Sequence, residues 1–137
     1  MVLIDTPIWS LALRRRAPDL NSSEQKLVAA LRELIREGRA QIAGPIRQET
    51  LSGIREPEQF RRLRDRLRAF DEPDIGAQDY EEAAHMNNQC RSRGVTGSPV
   101  DFLLCAVAQR RAWQIFTADR DFENYAKIIP LQLYRIS

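Results

Sequence analysis

The chain is poor in the residues that build soft-metal and redox sites. Its 137 residues include one histidine, His85, and two cysteines, Cys90 and Cys105. No CxxC pair is present, so the cysteines point to free thiols in a reduced, cytoplasmic setting rather than to a disulfide framework or a zinc site. No apolar stretch approaches the roughly 20 residues of a membrane span. Met1 leads directly into VLID and then into charge, which is not the pattern of a secretory leader. Lysine is also scarce. Only Lys26 and Lys127 accompany the arginines among 21 basic residues. Arginine offers a planar fork suited to phosphate, although a GC-rich coding bias produces the same excess. The net charge of +2 names no partner. Repeats, low-complexity runs and long linkers are lacking too. That leaves a single domain, residues 1–137, with one core.

What is present alternates between strand and helix signals. VLID, residues 2–5, reads as a short buried strand. Thr6 and Pro7 follow as a helix start, with IWSLALRRR as the helix body. APDLNSS breaks it. Ser22 or Ser23 opens a second helix in which Leu27, Val28, Leu31, Leu34 and Ile35 recur at helical spacing, and Gly38 closes it. AQIAG, residues 40–44, is a second strand. Pro45 and Pro57 open the third and fourth helices. A fifth begins at Gln78 or Asp79 and runs to Gly94, and a sixth begins at Ser98 and Pro99. WQIFT, residues 113–117, and LQLYRI, residues 131–136, complete the strands. The pattern predicts an α/β fold, a three-layer sandwich with a mostly parallel sheet of four or five strands flanked by helices.

In such sheets, sites form beyond the carboxyl ends of the strands near a topological switch point. Asp5 and Asp119 lie one or two residues past predicted strands. Glu49 falls in the early turns of the third helix, and Asp101 in the first turn of the sixth. Asp121 is a fifth candidate. Each acid has a local explanation: a capped helix, a solvated side chain, a helix-dipole partner or a turn former. As a group they call for more. Carboxylates drawn together raise one another's pKa values, and a cation relieves that repulsion. Oxygen ligands without His or Cys select Mg²⁺ or Mn²⁺. A common substrate of such a site is a phosphodiester.

Four motifs, VLIDTPIW, IRQETLSGI, PVDFLLCAVA and IFTADRDFE, occur in order across most of the chain. In this the sequence resembles the PIN-domain ribonucleases, specifically VapC-type toxins of toxin–antitoxin pairs. The stretch from about Arg55 to Gln78 carries no signature. The resemblance implies an Mg²⁺- or Mn²⁺-dependent endoribonuclease whose acids are Asp5, Glu49, Asp101 and Asp119. It implies support from Thr6, Thr117 and Asp121. It also implies a VapB-type antitoxin as partner and a homodimer. An apolar groove on the first, second and fourth helices, anchored by Leu11, Leu27, Leu31 or Phe60, would receive the antitoxin.

The arginines cluster at helix ends and along the fourth helix. Arg91 and Arg93 are the favoured RNA-phosphate contacts, because their helix ends just before the loop leading to Asp101. The Arg61–Arg68 run is expected to face water. His85 is expected at the surface or in packing, Trp9 and Trp113 in the core or an interface, and Cys105 in the core. Two other readings stay open. One is a non-catalytic module that binds RNA or protein. The other is a Mg²⁺-dependent phosphotransferase, which Thr6 and Pro7 after Asp5 disfavour because a haloacid-dehalogenase-like site needs Asp-x-Asp.

Overall fold

The computed structural model describes residues 1–136. Three strands form one parallel sheet: β1 (Val2–Ile4), β2 (Ala40–Gln41) and β3 (Gln114–Phe116). Their order is β2-β1-β3, with β1 at the centre. Val2 faces Ala40 on one side and Gln114 on the other, and Ile4 faces Phe116. All three residues of β1 are fully buried. This fits an all-apolar run in a sheet covered by helices. The chain leaves β1 for β2 on one side and later returns to β3 on the other. The switch point therefore lies at the carboxyl end of β1, where Asp5 stands.

The helices are α1 (Thr6–Leu13), α2 (Ser22–Arg36), α3 (Gly44–Leu51), α4 (Pro57–Leu67), α5 (Ala77–Ser92), α6 (Pro99–Arg111) and α7 (Asp121–Ala126). They flank the sheet: α6 packs on β1 and β3, α2 touches β2, and α5 lies along α6. Among the described residues no helix is long and apolar enough to cross a membrane.

The sheet is smaller than the four or five strands the sequence suggests. LQLYRI does not form a strand. It meets the sheet through one parallel bridge, Ile115 to Leu133. The Ile115 N–H donates to the Gln132 carbonyl at 2.9 Å, and the Tyr134 N–H donates to the Ile115 carbonyl at 2.8 Å. Two physical causes act together. Pro130, just ahead, has no N–H to extend a ladder, and β3 offers only three residues to pair with. Leu131, Leu133 and Tyr134 still pack against the core, so the alternation reported burial correctly and pairing incorrectly.

Two helices are capped by a residue ahead of the start read from the sequence. Asp5, not Thr6, caps α1: its backbone is extended and its side chain accepts from the Thr6 N–H. Asn21, not Ser22 or Ser23, caps α2 in a reciprocal box with Glu24. In both cases a carboxylate or amide just ahead of the helix accepts an open helix N–H. Helix α7 is absent from the sequence reading, which took Asp119 and Asp121 as candidate site acids with a turn as their local alternative. Six residues are too few for a helical period to register.

Candidate active site

Asp5 sits where β1 becomes α1. Its N–H donates to the Phe116 carbonyl at 2.9 Å, which extends the β1–β3 pairing by one bond. Its own carbonyl starts the helix by accepting from Ile8 and Trp9. The backbone is therefore fixed by sheet and helix at once, and the carboxylate is held at the sheet's edge, 7 % exposed. Oδ1 accepts from the Thr6 N–H at 2.8 Å, and Oδ2 accepts from the Thr117 hydroxyl at 2.7 Å.

Thr117 connects two of the acids. While donating to Asp5, its oxygen accepts the Asp119 N–H at 3.0 Å. Asp119 in turn accepts the Asp121 N–H at 2.9 Å. A continuous run of hydrogen bonds thus orders the loop after β3 against the end of β1. Asp121 contributes its backbone to this run, and its side chain is exposed.

Asp101 arrives from the other direction, in the first turn of α6. Ser98 caps that helix by accepting the Asp101 N–H at 3.1 Å. The carboxylate is half-buried, and its Oδ2 accepts the Tyr125 hydroxyl at 2.8 Å. Glu49 lies in α3 with its side chain exposed. Both Asp101 and Glu49 are close enough to influence Asp5 electrostatically.

The charges here are uncompensated. Burial pushes the Asp5 carboxyl above its ordinary 3.8, its two hydrogen bonds pull it back, and the Asp101 and Glu49 carboxylates push it further up. Tyr125 is also displaced upward, first by burial and then by its bond to Asp101, with Asp121 and Asp119 adding to the effect. Its phenol is therefore the donor. None of these acids takes part in an ion pair among the described residues.

The donor set suits a hard divalent cation, because it offers carboxylate and hydroxyl oxygens and no nitrogen or sulfur. A further observation agrees: the Thr6 hydroxyl, beside Asp5, is buried without a hydrogen-bond partner among the described residues. A native fold seldom leaves such an oxygen unmatched. Among the described residues, however, no three His, Cys, Asp or Glu side chains are gathered into a ready-made metal group.

Arg91 and Arg93 end α5 as exposed side chains without ion pairs among the described residues, next to the Gly94–Ser98 loop. Another arginine pair shares a cleft with neighbours of the acids. Arg14 and Arg15 line a cleft of about 550 Å³ together with Pro7, Leu11, Leu27 and Ala118. Pro7 is two residues from Asp5, and Ala118 is adjacent to Asp119. The sequence offered only a run of charge at a helix end, and proximity to Ala118 required the fold. Tyr125 and Gly97 were likewise not singled out, whereas Ser98, read as the start of the sixth helix, is its cap.

Other side chains settle plainly. His85 is exposed, Trp9 is buried with its Nε1–H donating to the Ile4 carbonyl, and Cys105 is buried. Trp113 is half-buried beneath the Arg111 guanidinium. Of the suggested groove anchors, Leu31 is fully buried and cannot serve. Leu11 and Leu27 do line a cleft, and Phe60 is half-buried elsewhere.

A family model described as PIN domain matches residues 2–128. The chain belongs to the PIN-domain family. Its fold is similar to a chain in the structure of FitAB bound to an IR36 DNA fragment, with a TM-score of 0.76 and 18 % identity over 98 % of this chain and 94 % of that one. It is similar to one in VapBC2 from Rickettsia felis bound to a promoter DNA fragment, with a TM-score of 0.72 and 16 % identity over 98 % of both chains. A toxin–antitoxin complex from Klebsiella pneumoniae gives a TM-score of 0.71 and 18 % identity over 97 % of this chain and 100 % of that one. At these identities the likeness is one of fold. A search of curated proteins finds no match.

Proposed function

We propose that this PIN domain is a divalent-metal-dependent endoribonuclease and acts as the toxin of a VapBC-type toxin–antitoxin pair. The observation that carries the reading is Asp5. It is a carboxylate at the switch point of the sheet, pushed upward by burial and further by two neighbouring acids, and among the described residues it has no cation of its own. Burying such a charge is costly unless something positive joins it.

In this reading Asp5, Asp101, Asp119 and Glu49 hold Mg²⁺ or Mn²⁺. The ion supplies Lewis-acid polarisation of a phosphodiester and a water of lowered pKa. The chain's own groups prepare the place for it. Thr117 donates to Asp5 and fixes its rotamer, while it also anchors the backbone of Asp119. Thr6 adds a backbone donor to Asp5 and an unmatched hydroxyl oxygen beside it. Asp121 shapes the loop through its N–H. Arg91 and Arg93, at the end of α5 ahead of the loop that leads to Asp101, take RNA phosphates.

The fold likeness to chains of toxin–antitoxin complexes supports an antitoxin partner. The cleft with Leu11 and Leu27 on its walls reaches Ala118, so a segment lying there would end at the acids. A homodimer is supported by an apolar groove of about 390 Å³ between α5 and α6, beside an exposed Tyr80.

The test is cleavage of cellular RNA by purified protein with Mg²⁺, Mn²⁺ or EDTA, alongside Asp5→Asn. Metal-dependent cutting that vanishes in the variant is expected. Folded, antitoxin-free protein that cuts no RNA with either metal would favour the non-catalytic binding module.

A further inference from the structure

Tyr125 is a fully buried tyrosine in an aromatic cluster. Its ring lies 4.9 Å from that of Phe102 and 5.2 Å from that of Phe122, centroid to centroid. Phenylalanine would fill the same volume. A buried phenol needs a partner for its hydroxyl, and here the partner is Asp101 Oδ2 at 2.8 Å. Neither element holds this contact by itself. Tyr125 sits in α7, and Asp101 sits in α6, 24 residues earlier.

The space for that hydroxyl is provided by Gly97. A Cβ at this position would collide with the Tyr125 hydroxyl, would stand 2.7 Å from its Cζ, and would come within 3.0 Å of Phe102 Cε2. Gly94, three residues earlier, has a φ of +82°, where glycine is favoured by its backbone. The φ of Gly97 lies outside the left-handed region. What Gly97 contributes is the missing side chain. The loop between α5 and α6 is thus shaped around a phenol that reaches a site carboxylate.

We propose that Tyr125 is a positioning residue for Asp101. Its hydroxyl, seated against Gly97, occupies one carboxylate oxygen and presents the other to the divalent cation. This rests on the nuclease reading above. The chemistry is that of an outer partner orienting a carboxylate ligand. A charge already committed on one oxygen has fewer orientations to lose when the other is engaged.

The experiment measures Mn²⁺ binding by electron paramagnetic resonance of the free ion, beside the unfolding midpoint without metal. The proteins are wild type, Asp5→Asn, Tyr125→Phe and Gly97→Ala. Tyr125→Phe keeps the ring and is expected to unfold near the wild-type midpoint, yet to bind Mn²⁺ about 10- to 100-fold more weakly. Gly97→Ala keeps the hydroxyl but dislodges it, and is expected to weaken binding in the same direction. Asp5→Asn is expected to lose binding. If wild type binds, Asp5→Asn does not, and both other variants bind like wild type, Tyr125 is only an anchor for α7 and the inference fails alone. Failure of Tyr125→Phe to fold would assign the hydroxyl to stability and would also overturn it. A wild type that binds no Mn²⁺ removes the nuclease reading, and the inference with it.

Discussion

Helices α5 and α6 run side by side, and the two ends of this pair handle charge in opposite ways. At one end, the start of α5 meets the finish of α6. Asp79, 1 % exposed, receives Arg110 at 2.7 Å and a two-pronged contact from Arg111 at 2.8 and 3.1 Å. It also accepts the Gly76 N–H. At the other end, among the described residues, the finish of α5 carries Arg91 and Arg93 without acidic partners, and the start of α6 carries Asp101 without a basic one. Asp5, buried nearly as deeply as Asp79, belongs to this second group. Two buried aspartates in one small core thus have opposite fates. The Arg111 guanidinium holds Asp79 well below the usual carboxylate range, whereas burial pushes Asp5 upward from its ordinary value. A carboxylate with its cation built in is complete as folded. One without it has a vacancy in its electrostatics that a ligand can answer.

The strongest way to break this comparison is to neutralise each aspartate with the nearly isosteric amide. Asp5→Asn should lower RNA cleavage by more than about 100-fold, beyond the range typical of groups one step removed from a metal. Its stability without metal should not fall, since the change removes a buried charge with no partner. Asp79→Asn should do the converse and leave cleavage per folded molecule unchanged. Initial rates paired with urea unfolding of the same preparations check both halves. Equal losses of stability in the two variants would dissolve the distinction.

The next effect is the stability of Asp79→Asn itself. Charge-assisted bonds of this kind contribute about 1.5–3 kcal/mol each when unscreened, but Arg110 and Arg111 keep partial contact with water. A net loss of about 2–3 kcal/mol is expected, or roughly 7–10 °C in the unfolding midpoint. The pH dependence has a definite sign. The folded-state pKa of Asp79 is lowered from 3.8, so its stabilisation is present above that value and fades as pH falls through and below it. The wild-type and Asn stability curves should therefore converge on acidification. Parallel curves down to pH 2.5 would place the stabilisation elsewhere.

A smaller effect separates the two ends through ligand linkage. Mg²⁺ at ten times its dissociation constant should stabilise the folded chain by about 1.4 kcal/mol. That gain should persist in Asp79→Asn and vanish in Asp5→Asn. Thermal scans with and without EDTA read it directly, and a shift retained by Asp5→Asn would place the ion away from the sheet's edge.

How visible these two ends are in the sequence differs for a physical reason. Asp5 follows an unbroken apolar run, and a buried strand ending in an acid is a local signal. Asp101 and Glu49 share that advantage, each near a proline-marked helix start. Asp79 has no such mark. It reads as an ordinary acid in a first helical turn, and its partners lie 31 and 32 residues away, brought in only by packing. Tyr125 is hidden for the same reason, being joined to Asp101 by the meeting of α7 and α6. The reverse error appears in LQLYRI, where alternation indicated a strand but the short β3 left almost nothing to pair with. Leu31 shows the limit of periodicity: it marks the inward face of α2 correctly and says nothing about which residues stay open to a partner.

The most delicate contrast is between the two arginine pairs that end these helices. Arg110 and Arg111 are committed to Asp79, and their loss should weaken the fold. Arg91 and Arg93 have no such commitment among the described residues, so replacing both with Gln should change stability by no more than about 0.5 kcal/mol. Their effect should appear instead in binding to single-stranded RNA, measured by anisotropy with metal chelated so that no cutting occurs. Each phosphate contact removed lowers the salt dependence of affinity by a slope of about 0.7. If both arginines touch phosphates, the double variant should bind more weakly at low salt, with a log–log slope shallower by about 1.4. An unchanged slope would move the RNA track to the cleft of Arg14 and Arg15, the other basic pair that the fold brings beside the loop carrying Asp119.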